Sequence, residues 1–440
     1  MYGREDLGVD VDRKNRRTVP FSVPTAVPET RGPYKMTPIP RGKRHMKRLT
    51  SAVLAAGLAF GACAPLAAQD LTITNAHIVV GNGKVIDRGS IVVRGGKIES
   101  VAAGAPARTA GQVIDAKGMS AMAGFIDAHR HVNTGPEEKA QMQRQLEAGY
   151  TTILSGGGPG DGNKTLREHI ESGQINGPRI IPSERIRLAQ LTPDQAREAV
   201  RAMKAAGIDY TGEISLTPVP GPSPQELEVL RAVLDEGKKV GVHVQVHAVS
   251  SPAMNAAVDM GIPLLVHLPN KDWVSKADAQ KLAAAGTKIL MTIGFGAPTI
   301  DVFAKDNTPR FRDGKPWPDG IVDGVGGGVE AGYAMVNART IFDAGGIIGY
   351  CTDTTYDALA GLEHELKSMN VVFSPTDMVK IMGPNTAAYL GMEKELGTIE
   401  PGKLADIILL DGDPLEGYWN WLKTKVTIKG GKVVVDARKP

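Results

Sequence analysis

Cysteine is almost absent from this sequence, which has two among 440 residues. Two cysteines cannot build the disulfide framework that stabilises many small secreted domains. Aromatic residues are also scarce, at 5%, but hydrophobic residues make up 42% of the chain. That apolar share is ample for a packed core and excludes a disordered or fibrous protein.

No apolar run reaches the roughly 20 residues that a membrane-spanning helix needs, so we expect no integral membrane span. The nearest run, Ala52–Phe60, follows the cationic residues 46–48 and precedes a series of small residues. This order is typical of a secretory signal peptide. We therefore predict a signal peptide over 46–68, a disordered leader or mis-assigned start over 1–45, and a periplasmic or secreted protein. A lipoprotein attached through Cys63 is the less favoured alternative.

The chain also lacks a strong excess of basic over acidic residues once the leader is excluded. The net charge is +3, but the first 50 residues hold 12 Lys/Arg and 5 Asp/Glu, which leaves 39 Lys/Arg against 43 Asp/Glu in the rest. This mildly acidic body argues against a nucleic-acid partner. We expect a small-molecule substrate, and a homo-oligomer remains open.

From about residue 122, short β-rich runs alternate with helical segments. The candidate strands are Met122–His131, Thr151–Ser155, Arg179–Ser183, Thr211–Leu216, Val240–Ala248, Pro263–Leu268, Lys288–Gly294 and Gly346–Cys351. Helix starts are predicted at Thr192-Pro193, Ser223-Pro224, Ser251-Pro252 and Ser374-Pro375, and helix ends at Gly149, Gly173, Gly207 and Gly237. Eight strands alternating with helices predict an α/β fold of the (β/α)8 TIM-barrel type, because an open doubly wound sheet normally uses fewer strands.

The two flanks have a different pattern of short alternating strands with glycine turns. We predict that they form one small composite β-sandwich, with parts at 69–121 and 395–440 around a barrel at 122–394. Residues 296–328 form a Gly/Pro-rich insertion on the catalytic side of the barrel, either a lid in which Arg310 and Trp317 close over substrate or a disordered excursion.

The strongest chemical signal is Gly124-Phe125-Ile126-Asp127-Ala128-His129-Arg130-His131. Side chains alternate along a strand, so His129 and His131 project to the same side. Three further predicted strands carry His or Asp at or near their C-terminal ends, namely His247, His267 and Asp353. Imidazole and carboxylate are ligands that Zn²⁺ accepts, and barrel active sites lie at this face. The pattern predicts a metal site.

These residues, with the tail Leu396-Gly397-Thr398-Ile399-Glu400-Pro401-Gly402-Lys403-Leu404-Ala405-Asp406, resemble the amidohydrolase superfamily, in particular its imidazolonepropionase-like and enamidase-like branch. The resemblance extends from about Leu71 to Asp436. It implies a TIM barrel with a composite β-sandwich and hydrolysis at a carbonyl or similar carbon. It also implies one divalent ion on His129, His131 and Asp353 and a second on histidines of strands 5 and 6.

The strand-4 position departs from the commonest pattern of this family, which has a carboxylated lysine there. Here Glu213 stands in the sequence instead, and we predict that it bridges two ions, because a buried carboxylate between cations is paired. The alternative is that it supports a single ion. His247 is preferred over His243 as the strand-5 ligand, and His243 is expected to pack deeper inside the barrel.

The predicted reaction is hydrolysis of an amide, cyclic amide or peptide-like C–N bond by a water that two divalent metals activate, zinc first and iron, manganese or cobalt as alternatives. Asp353 is the predicted proton shuttle. A deaminase or an ester or lactone hydrolase would use the same centre. A non-catalytic scaffold is less favoured, since the expected positions hold competent residues.

Substrate contacts are less constrained by the sequence, and the candidates are Ser183, Arg185, Tyr210 and Lys271. Arginine in particular suits a substrate carboxylate. The glycine-rich stretch after strand 2, residues 155–160, lacks the Lys-Ser/Thr ending of a phosphate loop and is predicted to be a flexible connector. Cys351 is predicted to pack in the core rather than act as a nucleophile.

Overall fold

The computed structural model describes residues 70–158, 160–294, 311–312, 315–316, 327–354 and 357–438. The predicted leader, the signal peptide with Cys63, and most of the 296–328 insertion with Arg310 and Trp317 lie outside these residues. Within the described ranges, no helix is both long and apolar enough to cross a membrane.

The described strands fall into three groups along the chain. The first group is β1 (Leu71–Val79), β2 (Val85–Arg94), β3 (Lys97–Ala103), β4 (Gln112–Asp115) and β5 (Ser120–Ala123). The second is β6 (Phe125–Arg130), β7 (Tyr150–Ser155), β8 (Arg179–Ile181), β9 (Ser183–Glu184), β10 (Tyr210–Thr211), β11 (Ile214–Ser215), β12 (Gln245–His247), β13 (Leu264–Val266), β14 (Lys288–Met291), the hairpin β15 (Phe311–Arg312) and β16 (Lys315–Pro316), and β17 (Ile347–Tyr350). The third is β18 (Ile407–Leu410), β19 (Thr424–Lys429) and β20 (Lys432–Asp436).

Helices separate most strands of the middle group. They are α1 (Glu138–Glu147), α2 (Gly160–Glu171), α3 (Pro193–Ala205), α4 (Pro224–Val240), α5 (Ser251–Met260), α6 (Lys276–Ala285), α7 (Gly327–Asp343), α8 (Ala358–Val372), α9 (Pro375–Lys380) and α10 (Thr386–Tyr389). This alternation confirms the predicted α/β class.

Three of the four predicted helix starts are confirmed by their hydrogen bonds. Thr192, Ser223 and Ser374 each accept a hydrogen bond from the backbone N–H three residues later, and each completes a capping box. The start of α5 lies one residue earlier than predicted. Ser250, not Ser251, has the extended backbone and accepts from the Ala253 N–H.

The prediction that Gly237 ends a helix is wrong, because α4 continues to Val240 and ends at Gly241, whose φ is 75°. Gly237 instead lets the helix approach the next segment, since a Cβ there would lie 2.8 Å from the Val242 carbonyl oxygen. The predicted strand Val240–Ala248 is therefore shorter, and only Gln245–His247 forms β12.

The middle strands pair only in parallel, apart from the β15–β16 hairpin, in three described sheets. Strands β6, β7 and β8 form one, β9 and β10 a second, and β11, β12, β13, β14 and β17 a third. Pro182 separates β8 from β9, where it offers no N–H for pairing. These pairings among described residues do not close a barrel, but the Asp353 N–H donates to the His129 carbonyl and so joins the end of β17 to the end of β6.

Strands from both ends of the described chain share one eight-stranded sheet, in the order β20-β19-β18-β5-β1-β2-β3 with β4 on β1. A buried apolar cluster that includes Leu71, Ile73, Ile407 and Ile428 covers it. The predicted strand Met122–His131 is divided by this sheet. Its first residues form β5, which pairs with β18, and Gly124 separates them from β6, which pairs with β7. A sandwich arrangement of the flanks remains a prediction.

Candidate metal centre

The six predicted ligands all lie at or just beyond the C-terminal ends of parallel strands. Their positions are His129 in β6, His131 directly after it, Glu213 between β10 and β11, His247 at the end of β12, His267 after β13 and Asp353 after β17. The C-terminal ends of parallel strands meet at one face of an α/β fold. The six side chains therefore converge although they are far apart in sequence.

Three imidazoles surround the Asp353 carboxylate. His131 Nε2 lies 2.9 Å and His129 Nε2 3.3 Å from Asp353 Oδ1, and His267 Nε2 lies 3.5 Å from Asp353 Oδ2. Two ligand atoms bonded to one tetrahedral ion at about 2.1 Å would be about 3.4 Å apart. The spacing around Asp353 is thus close to that of atoms that share a cation.

A second group of imidazoles surrounds Glu213. Its Oε2 lies 2.9 Å from His247 Nδ1, 3.4 Å from His267 Nε2 and 3.8 Å from His129 Nε2. The possible ligand atoms of His129, Glu213 and His267 all lie within 4.8 Å of one another, and so do those of His129, His131 and Asp353. His129 Nε2 belongs to both groups, so this ring lies where the two groups meet.

Several buried polar atoms in this cluster have no protein hydrogen-bond partner. Among the described residues these include His129 Nε2, His267 Nε2 and Asp353 Oδ1. A buried polar atom without a partner costs about 1–3 kcal/mol, so three of them facing one another call for a ligand. Imidazole nitrogens with carboxylate oxygens are the donor set of a borderline divalent ion. The residues fit a metal centre.

Two of the ligand positions have a left-handed backbone. The φ angle is 66° at His267 and 52° at Asp353, a conformation that is uncommon outside glycine and that costs about 1–3 kcal/mol. His267 comes directly after β13, and Asp353 lies three residues after the end of β17. Strain of this kind is often concentrated at functional sites.

The electrostatics keep both carboxylates ionised. Burial alone would raise the pKa of Asp353, but the facing imidazoles of His129 and His131 hold it well below its usual range. Burial alone would also raise the pKa of Glu213. The hydrogen-bonding imidazoles of His247 and His267 outweigh burial, and the pKa of Glu213 is lowered. Burial lowers the pKa of His267, which favours the neutral form that a metal ligand requires.

Two ligand imidazoles are held by their other ring nitrogen. His267 Nδ1 lies 2.5 Å from Thr292 Oγ1, and His131 Nδ1 lies 3.2 Å from the Gly157 carbonyl oxygen. A carbonyl can only accept, so His131 Nδ1 carries the proton and its Nε2 is free to bind a metal. If Thr292 also accepts, His267 has the same tautomer.

Asp127 is a functional residue whose role the sequence analysis missed. Its fully buried carboxylate accepts hydrogen bonds from the His129 N–H at 3.3 Å and from the Thr352 N–H and Oγ1 at 3.1 and 2.6 Å. Asp127 thus links the predicted ligand His129 to Thr352, the residue before the predicted ligand Asp353. The available signal was its spacing of two from His129, which places both side chains on one face of β6.

Of the four predicted substrate residues, Ser183 and Tyr210 are partners in the β9–β10 pairing, and Arg185 directly follows β9. Arg185 reaches the centre, where its NH2 lies 2.9 Å from Glu213 Oε1. Ser183 is fully buried, and its hydroxyl donates to the Ser155 carbonyl. The Tyr210 hydroxyl donates to the Leu390 carbonyl, while Lys271 is exposed in the segment between β13 and α6. Arg185 therefore touches a predicted ligand, and the binding roles of all four residues stay predictions.

The preference for His247 over His243 agrees with the geometry, because His247 contacts Glu213 whereas His243 stacks on the Tyr210 ring with centroids 4.6 Å apart. The expectation that His243 packs inside the barrel is wrong, since its side chain is exposed. Cys351 is fully buried, and its thiol donates to the Met291 carbonyl, as a packing residue would.

A family model described as the amidohydrolase family matches residues 120–434. The chain belongs to the amidohydrolase family and is a hydrolase of the kind that acts on carbon–nitrogen bonds. This confirms the family resemblance and the prediction of an amidohydrolase-type enzyme. The match spans the middle strands and the C-terminal strands of the large sheet.

The sequence is similar to the imidazolonepropionase of Geobacillus kaustophilus strain HTA426, with 25% identity over 86% of this chain and 95% of that protein. It is also similar to the adenine deaminase of Ruegeria sp. strain TM1040, with 24% identity over 82% of this chain and 58% of that protein. The fold is similar to a provisionally assigned prolidase from Bifidobacterium longum, with a TM-score of 0.70, 26% identity, and 85% and 97% of the two chains covered.

Proposed function

We propose that this protein is an exported, binuclear metal-dependent amidohydrolase that cleaves an amide, cyclic amide or peptide-like C–N bond of a small molecule. The observation that carries the proposal is that four imidazoles and two carboxylates come together in space. Several of their buried nitrogen and oxygen atoms have no hydrogen-bond partner in the protein. The relatives named imidazolonepropionase and prolidase support C–N cleavage.

In this proposal, His129, His131 and Asp353 would hold one divalent cation, and His247 and His267 would hold a second, with the Glu213 carboxylate as the predicted ligand between them. The cations, zinc being the first choice, would lower the pKa of a bound water and polarise the substrate carbonyl. The lowered pKa values of both carboxylates support this assignment, because anionic ligands offset the charge of the pair.

Asp353 is the proposed proton carrier. Its carboxylate is ionised and lies beside three imidazoles, so it could accept the proton of the attacking water. It would then deliver that proton to the leaving nitrogen, as a base that becomes an acid within one turnover.

Arg185 is the proposed contact for a substrate carboxylate. Its guanidinium pairs with Glu213 Oε1 and its side chain is about one-third exposed, so one face can meet an incoming anion. Ser183, Tyr210 and Lys271 remain weaker candidates, since the first two use their hydroxyls within the protein.

The remaining architecture completes the proposal. The parallel strands from β6 to β17 would form a closed (β/α)8 barrel, and the flanking strands a composite sandwich with the boundaries 69–121 and 395–440. Export would remove residues 46–68 and the leader before them. The relative named adenine deaminase supports a deaminase as the second candidate function.

The decisive experiment is metal analysis of purified protein, followed by metal-reconstituted assays with N-acyl amino acids, Xaa-Pro dipeptides and cyclic amides. We expect close to two divalent ions per chain and activity that chelation abolishes. A new carboxylate with an amine would indicate amide cleavage, and ammonia release would indicate deamination. Full activity after exhaustive chelation would contradict the proposal.

A further inference from the structure

The glycine-rich segment after β7 contacts the predicted ligands directly, which the sequence analysis did not foresee. The Gly156 N–H donates to the Arg130 carbonyl at 2.9 Å, and the Gly157 carbonyl oxygen lies 3.2 Å from His131 Nδ1. The segment is thus hydrogen-bonded to the middle residue and to the second histidine of the His-x-His motif. These contacts argue against the predicted flexible connector.

Gly156 lies against the ring of His129. A Cβ at Gly156 would be 2.8 Å from His129 Nε2, 3.0 Å from Cε1 and 3.2 Å from Cδ2. A carbon placed along the Nε2 lone pair would be clearly farther from the two ring carbons than from the nitrogen. The similar distances therefore put this Cβ over the face of the ring, at its metal-binding end.

Gly212, between β10 and β11, packs against the same glycine-rich segment. A Cβ at Gly212 would meet Gly157 Cα at 3.1 Å and the Arg185 N at 3.2 Å. Because both residues lack side chains, the segment after β7 and the residue before Glu213 pack backbone to backbone. We call Gly156, Gly157 and Gly212 the glycine wall.

We propose that Gly156 is a positioning residue of the metal centre and that its missing Cβ sets the location of the His129 ring. This inference rests on the proposed function, because it concerns how the cations are held. An ordinary contact starts near 3.4 Å, so an alanine would have to move the ring by roughly 0.6 Å, whereas metal–ligand distances vary by only about 0.2 Å. His129 lies where the two ligand groups meet, so moving its ring should weaken metal binding.

The test is Gly156→Ala, with Gly135→Ala as the matched control. Gly156 does not have a positive φ, so alanine fits its backbone and the ring contact is the main obstacle. Gly135 also lacks a positive φ and has no atom within 4 Å of its Cβ position. Metal-free protein would be titrated with Co²⁺, and bound metal, the visible spectrum and thermal unfolding would be followed.

We expect Gly156→Ala to bind Co²⁺ at least about tenfold more weakly and with an altered spectrum, as when a ligand is misoriented, and Gly135→Ala to match the wild type. Unchanged affinity and spectrum in Gly156→Ala would overturn the inference while leaving the proposed function intact. A wild type that binds no divalent ion would overturn both.

A second comparison covers the case in which Gly156→Ala is unstable. In a His129→Ala background the ring is absent, so adding Gly156→Ala should change unfolding temperature and residual Co²⁺ binding little. An equal loss of stability in both backgrounds would mean that alanine at this position disturbs the segment itself. That result would contradict positioning through His129.

Discussion

Asp353 is the residue to which the proposed mechanism gives two tasks, since it is both a ligand and the proton carrier. Three imidazoles contact its carboxylate, and its backbone is bonded to the His129 carbonyl. The backbone hydrogen bond holds Asp353 at the strand ends independently of its side-chain charge. A substitution that removes the charge of Asp353 should therefore preserve the fold.

Asp353→Asn should lower kcat by about 10²-fold or more, because an amide cannot take up the proton. Metal content should fall only partly, since His129 and His131 remain. The measurement is steady-state kinetics with metal analysis of the same preparation. A variant with nearly full kcat would show that another group carries the proton.

Thr292 supports His267 from behind, with its hydroxyl 2.5 Å from Nδ1. Thr292→Val keeps the shape but removes this hydrogen bond, so we expect metal affinity to fall by about 10- to 100-fold. Thr292→Ser keeps the hydroxyl and should stay near the wild type. Equal affinities of the valine and serine variants, measured by metal titration, would argue against this support.

The sequence could indicate the candidate ligands but not most of the residues that contact them. His129, His267 and Asp353 stand out because few residue types bind metals and each follows a recognisable strand. Asp127 contacts Thr352, which is 225 positions away, and the partner of His267 is Thr292, an ordinary residue type. Such pairings depend on which strands become neighbours, and one sequence does not contain that information.

At the scale of elements, helix starts were more predictable than strand limits. A cap is a local interaction, as between Ser223 and Glu226, so the sequence carries it. Strand limits depend on pairing with distant residues. The break at Gly124 exists because β5 pairs with β18 while β6 pairs with β7. Helix α4 extends past Gly237, where the segment before β12 packs closely against it.

Helix α8 holds the end of β14 through one buried carboxylate. Glu365 accepts hydrogen bonds from the Ile293 and Gly294 N–H groups at 2.7 and 2.6 Å, directly after Thr292. Burial raises the pKa of Glu365 to about 8. The folded protein therefore binds a proton that the unfolded chain releases near its ordinary pKa of about 4.3.

For a raised carboxyl pKa, the stabilising contribution is complete below the unfolded value and is lost as the pH rises through the folded value. The unfolding free energy of metal-free protein should therefore fall between about pH 4.5 and pH 8, by at most about 1.4 kcal/mol per pH unit. Glu365→Gln should make this part of the profile flatter. Denaturant unfolding across this range checks it, with the exposed Glu198→Gln as control. Parallel profiles for wild type and Glu365→Gln would contradict it.

At the scale of the whole molecule, the large terminal sheet and the middle strands are joined by buried polar contacts. The backbone of Asp406, just before β18, accepts from the Gly124 N–H. Its side chain contacts Arg179 NH1 at 2.8 Å and the Gly430 N–H at 2.6 Å. One residue therefore links the C-terminal strands to the starts of β6 and β8.

This arrangement explains why segments at opposite ends of the sequence accompany the enzyme's α/β part. The strands before β6 and after α10 complete one sheet, and their pairing fixes where β6 begins. The sequence analysis could predict that both flanks are β-rich, because alternation and glycine turns are local signals. It could not predict the pairing order, which depends on which edges meet in space.

Asp406→Asn should test that join. The variant keeps the size of the side chain but replaces a charged acceptor of Arg179, so we expect a loss of about 1.5–3 kcal/mol in the free energy of unfolding. Asp194→Asn is the matched control, because Asp194 pairs with Arg197 at the same 2.8 Å but its side chain is 95% exposed, and an exposed pair contributes about 0–1 kcal/mol. If the two parts unfold as one unit, the metal-free Asp406→Asn variant should still show a single transition at lower denaturant. Equal effects of the two substitutions would show that Asp406 does not couple the sheet to the strands that carry the candidate ligands.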